Sequence, residues 1–183
     1  MTFSPSVVIT DEAMNLMLTA GLTALPRETG GILAGFRTED QIVVTRAAVV
    51  PDDGSSRRDY KLLKHRASDE LNRLKGDAAQ VLGFVGDWHT HPADVPPSST
   101  DLASLELVAR SASDLVALIV LPFDHGEPRP VHVRVGRRLG SRRSTRRTRV
   151  TIHHAHLSTT DITANDLERS ADAVLTSKEP PTA

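Results

Sequence analysis

The sequence contains no cysteine and few aromatic residues, and each shortage excludes a class of function. Without cysteine there is no disulfide framework, no thiolate zinc site and no cysteine nucleophile, so any metal ion must be held by His, Asp or Glu. One Trp, one Tyr and four Phe argue against a stacking platform for single-stranded nucleic acid. No apolar run approaches the roughly 18 residues of a transmembrane helix, and the first residues lack a secretory signal. We therefore expect a cytoplasmic protein that does not act at a membrane.

The charge of the chain is unevenly distributed. The 183 residues carry a net charge of -1, but the range 134–150 holds eight of the 22 basic residues and no acidic one. The remainder has 14 basic and 23 acidic residues and a net charge of -9. The sequence thus predicts an acidic body and a basic segment with separate roles.

Alternating and helical apolar patterns predict an α/β fold of the α+β type, in which helices flank a mixed β-sheet. We expect one domain over residues 1–136. Residues 137–183 are expected to form an Arg-rich, partly disordered tail with a short helix near 161–175. The predicted strands are 6–10, 28–36, 42–50, 81–91, 114–122 and 130–136, and the main helices begin near residues 10, 62 and 98.

The clearest chemical signal is His89-Thr90-His91, in which two imidazoles on one strand point to the same side. Asp101 follows in the first turn of a predicted helix and could supply a third metal ligand. Three protein ligands leave one position open, as in a catalytic zinc site. Glu28 is the best candidate for a general base, and the Ser98 hydroxyl could donate to a developing oxyanion.

Each of these features has a simpler explanation. Histidines two apart on a strand also occur by chance. Ser98 and Asp101 fit a capping box, which accounts for both residues without excluding metal ligation. Glu28 could be a solvated residue at the start of a strand, and Gly30-Gly31 could form a bulge rather than permit a close backbone approach.

Taken together, the motifs resemble the JAB/MPN metalloproteases that carry the JAMM motif. Three segments match in the right order over about residues 6–136: Glu28-Thr-Gly-Gly-Ile-Leu-Ala-Gly, His89-Thr90-His91-Pro92 and Pro97-Ser98-Ser99-Thr100-Asp101. The resemblance implies a JAB/MPN fold and a zinc-dependent isopeptidase or peptidase.

By this resemblance, His89, His91 and Asp101 are zinc ligands, Glu28 is the general base, and Ser98 stabilises the tetrahedral intermediate. The loop between His91 and Ser98 has six residues, one fewer than is usual in the family. Aligning Ser99 instead would restore the length but place Leu102 at the aspartate position. We therefore keep Ser98 and Asp101 and infer a shorter loop.

A narrower resemblance concerns bacterial JAB proteins of antiviral operons, including CBASS systems, that lie beside E1- and E2-like enzymes. It rests on Gly86-Asp87-Trp88, Arg58-Asp59-Tyr60 and the Pro-Ser-Ser-Thr-Asp run. It implies cleavage after the C-terminal residue of a ubiquitin-like protein or of a conjugated nucleotidyltransferase. The alternatives are a peptidase that processes a sulfur-carrier protein and a non-catalytic scaffold of the same fold.

Two further clusters remain open to interpretation. His153, His154 and His156 could bind a metal adventitiously, or belong to a solvated tail. The arginine cluster could contact phosphate or an acidic partner, or form a solvated linker.

Overall fold

The computed structural model describes residues 3–76, 80–112, 115–139 and 149–176. The strands are β1 (Ser6–Thr10), β2 (Gly30–Arg37), β3 (Gln41–Val49), β4 (Gly83–His91), β5 (Val116–Asp124), β6 (Glu127–Pro128), β7 (His132–Leu139), β8 (Arg149–His154) and β9 (His156–Thr160). The helices are α1 (Asp11–Ala24), α2 (Lys64–Lys75), α3 (Ser99–Ser111) and α4 (Ala164–Thr176).

The strands form one mixed sheet in the order β8-β7-β5-β4-β2-β3-β1-β9, and β6 pairs with β5. β2 and β3 form the expected antiparallel hairpin, and β5 and β7 pair as expected across their connecting loop. The predicted α/β class, with a mixed sheet flanked by helices, is confirmed. β4 lies near the centre of the sheet, between antiparallel β2 and parallel β5.

Helices cover both faces of this sheet. α1 buries Met14 and Met17 in the largest apolar cluster, which includes Trp88. Two smaller clusters lie under α3 and α2, and both contact Phe84. Leu105 of α3 packs on β5, and the apolar side of α2 packs on β2 and β3. Strand β4 lies between these helical layers, and its last four residues are buried, so the strand is packed on both faces up to its end.

The C-terminal segment belongs to this sheet, which corrects the expected domain boundary at 136. That boundary falls inside β7, and the following chain adds β8 beside β7 and β9 beside β1. Only Ala155 separates β8 from β9, so the sheet curls until its two edges meet at this residue.

α4 then packs on β3 through Glu168, which is 2% exposed. The expected helix near 161–175 is thus present, but it is attached to the body rather than part of a separate tail. Four members of the predicted arginine cluster, Arg142, Arg143, Arg146 and Arg147, lie outside the described residues. In the described ranges, no helix has the length and apolar character needed to cross a membrane.

Candidate metal centre

The C-terminal end of strand β4 places His89 and His91 side by side. Their Nε2 atoms are 3.1 Å apart, and both residues are buried. Hydrogen bonding to β2 on one side and to β5 on the other fixes the main chain at this point. The two rings therefore point to one side of the sheet, as the spacing of two predicted.

The first turn of α3 brings Asp101 to the same point. Ser98 is the N-cap, and its Oγ accepts from the Asp101 N–H at 3.2 Å, while Asp101 Oδ2 accepts from the Ser98 N–H at 2.6 Å. This capping box is the one that the sequence indicated. It also fixes the carboxylate so that Oδ1 lies 3.3 Å from His89 Nε2 and Oδ2 lies 3.5 Å from His91 Nε2.

These three residues bring metal-ligating atoms close together. Two ligand atoms of a tetrahedral site with bonds of about 2.0–2.1 Å are about 3.3–3.4 Å apart. The two Nε2 atoms are 3.1 Å apart, close to that spacing, while His89 and His91 approach different oxygens of the Asp101 carboxylate, at 3.3 and 3.5 Å. With one ligand atom taken from each residue, all three lie within 4.8 Å of one another. Within the described part of the chain, His89, His91 and Asp101 form the group of side chains close enough to share an ion.

The contact of the distal nitrogen of His91 supports the same grouping. Nδ1 lies 3.2 Å from the Val95 carbonyl oxygen, which can only accept, and this leaves Nε2, on the side of Asp101, as the atom available to a metal ion. A carbonyl that accepts from the distal nitrogen is a common partner of a metal-ligating histidine.

Glu28 lies beside this group because of its neighbour Thr29. The Thr90 N–H donates to the Thr29 carbonyl at 2.8 Å, and the Thr29 N–H donates to Thr90 Oγ1 at 3.0 Å. These bonds align Thr29 with Thr90, so Glu28 stands next to His91 along the strands. Burial raises the pKa of the Glu28 carboxyl above its ordinary value, against the attraction of both histidines. A raised pKa favours proton acceptance at near-neutral pH.

The glycines after Glu28 allow this close approach. A Cβ on Gly30 would lie 2.4 Å from the Trp88 carbonyl oxygen, and one on Gly31 would lie 1.8 Å from that of Ala48. The bulges of β2 occur later, between Leu33 and Gly35, so Gly30-Gly31 is a site of close backbone packing rather than a bulge.

Ser98 is exposed at the edge of the site and lines the same groove as Glu28, His91 and Asp101. Its Oγ accepts a hydrogen bond within the capping box, which leaves its own proton free to be donated. The groove has a volume of about 1130 Å³, enough for an extended segment of polypeptide.

The three C-terminal histidines do not join a metal-binding group among the described residues. His153 and His154 lie on β8 and His156 on β9, and His153 Nε2 is 2.9 Å from Thr151 Oγ1. They are therefore part of the edge strands rather than of a solvated tail.

Residues 10–148 match the family described as prokaryotic homologs of the JAB domain. Two relatives named CD-NTase/cGAS isopeptidase are each 30% identical to this chain. The one from Escherichia coli aligns over 97 residues, which is 51% of this chain and 61% of the relative. The one from Enterobacter hormaechei aligns over 110 residues, which is 58% of this chain and 60% of the relative. A probable metalloprotease, y4qB, from Sinorhizobium fredii is 30% identical over 90 residues, 46% of this chain and 54% of its own length.

Among solved structures, protein DSY2949 from Desulfitobacterium hafniense aligns with a TM-score of 0.62 and 16% identity, over 86% of this chain and 94% of that one. This likeness shows a shared fold. The chain belongs to the prokaryotic JAB family, and the resemblance inferred from its motifs is confirmed. It matches no more than 61% of the length of these curated relatives.

Sequence reasoning missed two main-chain contributors to the site. The Val95 carbonyl orients His91, and the Ser56 carbonyl accepts from the Glu28 N–H at 2.7 Å. Every residue has a main-chain carbonyl, so no side-chain pattern marks these two. Arg58, which also lines the groove, was visible only as part of a family motif, and its neighbour Arg57 was not singled out.

Proposed function

We propose that this protein is a zinc-dependent isopeptidase or peptidase of the JAB type. The observation that carries the proposal is the convergence of His89, His91 and Asp101, whose ligand atoms lie within 4.8 Å of one another, next to Glu28 in an open groove. The family membership and the names of the relatives support hydrolysis of a peptide or isopeptide bond. With only three protein ligands, one coordination position is left for a water or substrate oxygen.

A bound zinc ion would polarise the scissile carbonyl and make water more acidic. The Glu28 carboxylate accepts the proton of the attacking water and transfers it to the leaving amine, so one residue serves as base and then as acid. Ser98 Oγ–H donates to the oxyanion of the tetrahedral intermediate. Val95 and the capping box hold His91 and Asp101 in position throughout.

For the substrate, we propose a ubiquitin-like protein or a conjugated nucleotidyltransferase, cleaved after its C-terminal residue. Two relatives are named CD-NTase/cGAS isopeptidases, which fits a conjugated nucleotidyltransferase. E1- and E2-like enzymes would then form the conjugate, and the setting would be antiviral defence in the cytoplasm.

Two alternatives make different predictions. A peptidase for a sulfur-carrier precursor would use the same site on a linear peptide bond. A non-catalytic scaffold would need neither a base nor a metal site. The grouping of His89, His91 and Asp101 beside the buried Glu28 is evidence against it.

The test uses the full chain, stripped with a chelator and reloaded with zinc. Metal content is measured by mass spectrometry, and cleavage is measured on an isopeptide-linked nucleotidyltransferase conjugate and on a linear sulfur-carrier precursor. His89→Ala should lose stoichiometric zinc and activity. Glu28→Gln should keep zinc but lose about 10²–10⁴-fold in turnover, because the amide cannot accept a proton.

Matched controls are His65→Ala and Glu70→Gln on α2, which lie outside the groove. Both should keep zinc and turnover. Zinc binding without hydrolysis of either substrate would favour the scaffold, and wild-type turnover in Glu28→Gln would remove Glu28 from the mechanism.

A further inference from the structure

The loop between β3 and α2 carries two arginines that the proposed chemistry does not use. Arg57 and Arg58 line the same groove as Glu28 and Asp101. Both are exposed, and among the described residues neither side chain has a hydrogen bond or an ion pair. Two guanidinium groups that make no such contact within the described ranges thus border a groove whose own acidic groups are Glu28, Asp59 and Asp101.

The main chain of this loop is fixed directly beside the candidate base. The Glu28 N–H donates to the Ser56 carbonyl at 2.7 Å, and the Ser56 N–H donates to the Asp59 carbonyl at 2.9 Å. Arg57 and Arg58 occupy the two positions between Ser56 and Asp59. They are therefore at the tip of a narrow loop that is hydrogen-bonded to the site.

Side chains at the base of the loop hold it in this shape. Asp52 Oδ1 accepts from the Gly54 N–H at 3.0 Å, and Asp52 Oδ2 accepts from the Lys61 N–H at 2.9 Å. Tyr60 Oη donates to the Val50 carbonyl at 2.8 Å. Because the loop is organised before substrate arrives, less conformational entropy is lost when the arginines engage a partner.

Apolar groups supply another part of the groove lining. They include Leu25, Pro26, Val95 and Pro96, and Val95 is 45% exposed. A groove with apolar and cationic lining suits an extended polypeptide that bears an apolar side chain and a carboxylate. A guanidinium binds a carboxylate through two parallel hydrogen bonds, which gives direction as well as attraction.

We propose that Arg57 and Arg58 bind a carboxylate of the substrate polypeptide near the scissile bond and so select acidic substrates. The inference rests on the proposed function, because it places the substrate in the groove beside Glu28. The carboxylate can lie on the acyl side or on the amine side of the bond, and the test separates these two sources. A nucleic acid fits the groove less well, because its successive phosphates would meet Glu28, Asp59 and Asp101.

The experiment uses the zinc-loaded full chain and two series of fluorescent peptides. In one series, Ala-Xaa-Leu-Gly-Gly is joined to the ε-amine of a lysine amide, with Glu, Gln or Lys as Xaa. In the other, the acyl peptide is neutral and the same three residues follow the lysine. We expect kcat/KM to favour Glu over Lys about tenfold in one series, which is about 1.4 kcal/mol at 25 °C.

The double variant Arg57→Glu and Arg58→Glu should reverse this preference. The control is Arg73→Glu, at an exposed position of α2 outside the groove, which should keep the wild-type ratio. Comparing ratios removes any effect of the variants on zinc affinity or on the chemical step. The preference should also shrink in 1 M salt, where the Debye length falls to about 3 Å.

Three results would overturn the inference: no preference for Glu in either series, a preference that survives in the double variant, or a 12-nucleotide single strand that binds the wild-type protein more tightly than the Glu peptides. Binding is measured by fluorescence anisotropy with secondary-amine analogues that cannot be hydrolysed. If the wild-type enzyme cleaves no peptide or conjugate, the proposed function fails, while anisotropy still decides whether the arginines select a carboxylate.

Discussion

Replacing Glu168 by Ala should loosen α4 from the sheet and lower the stability of the whole domain. The Glu168 carboxylate accepts from Thr45 Oγ1 at 2.6 Å and from Arg46 Nε and Nη2, each at 2.9 Å. It is 2% exposed, and Ala164 is the other buried residue among the described side chains of α4. The described contacts between α4 and β3 are thus polar, and Glu168 makes three of their hydrogen bonds.

The size of the effect follows from what remains after the change. Removing one member of a buried ion pair generally costs about 3–5 kcal/mol. Here the Arg46 side chain is 28% exposed, and its Nη2 keeps a hydrogen bond of 2.7 Å to Asn165 Oδ1, so water and Asn165 offset part of the loss. Thr45 Oγ1 keeps only a distant acceptor, the Ala34 carbonyl at 3.5 Å. We expect a loss of about 2–3 kcal/mol, because part of the buried-pair penalty is relieved.

In a domain of this size, that loss lowers Tm by about 4–12 °C. Thermal and urea unfolding measure it, and amide hydrogen exchange in residues 164–176 shows whether α4 opens locally. The control is Glu106→Ala on α3, an exposed glutamate with an i,i+4 arginine partner, which should change stability by less than about 0.5 kcal/mol. If Glu168→Ala melts like this control and α4 keeps its protection, the carboxylate does not hold the helix.

Two further predictions concern the backbone around the site and the extent of the domain. Gly30→Ala should destabilise the fold by about 1–3 kcal/mol or more and also lower activity, because the new Cβ would displace β2 from Trp88. The control is Gly83→Ala, whose Cβ would meet nothing within 4 Å. Equal melting temperatures of the two variants would contradict the steric argument. A chain that ends at Gly136 should fail to fold cooperatively, since it lacks β8, β9 and α4; a sharp thermal transition and full activity in that truncation would restore the boundary expected from the sequence.

The sequence predicted the central part of this fold well because its local signals agree. β4 alternates in a way that places Trp88 in the core and His89 and His91 on the other face. α3 begins where the capping box indicates, and Gly76 follows the end of α2. Where the apolar pattern and the candidate site residues fall on the same strand or helix, the sequence predicts both the element and the position of the site.

The last two strands, β8 and β9, and the attachment of α4 could not be found this way. β8 and β9 are short, polar edge strands with mostly intermediate or exposed residues, so they lack the apolar alternation of a half-buried strand. The contact that anchors α4 joins Arg46 to Glu168, residues 122 positions apart, and no local pattern predicts such a pair. A segment rich in Arg, Ser, Thr and His therefore resembles a solvated tail until its partners are known.

Ser98 is the N-cap of α3 and also the proposed oxyanion donor, and substitutions can separate these two roles. As N-cap it supplies an acceptor to the Asp101 N–H, and as a proposed catalytic group it supplies a proton to the oxyanion. Glycine replaces serine at an N-cap for only a few tenths of a kcal/mol, and the main-chain bond from residue 98 to Asp101 Oδ2 does not need a side chain. Ser98→Gly should therefore keep zinc and nearly all stability but lose about 10²–10³-fold in kcat, the usual effect of removing one oxyanion donor. Ser98→Thr, which keeps the hydroxyl, should retain much of the activity. Equal kcat in Ser98→Gly and the wild-type enzyme would leave the serine as a cap alone.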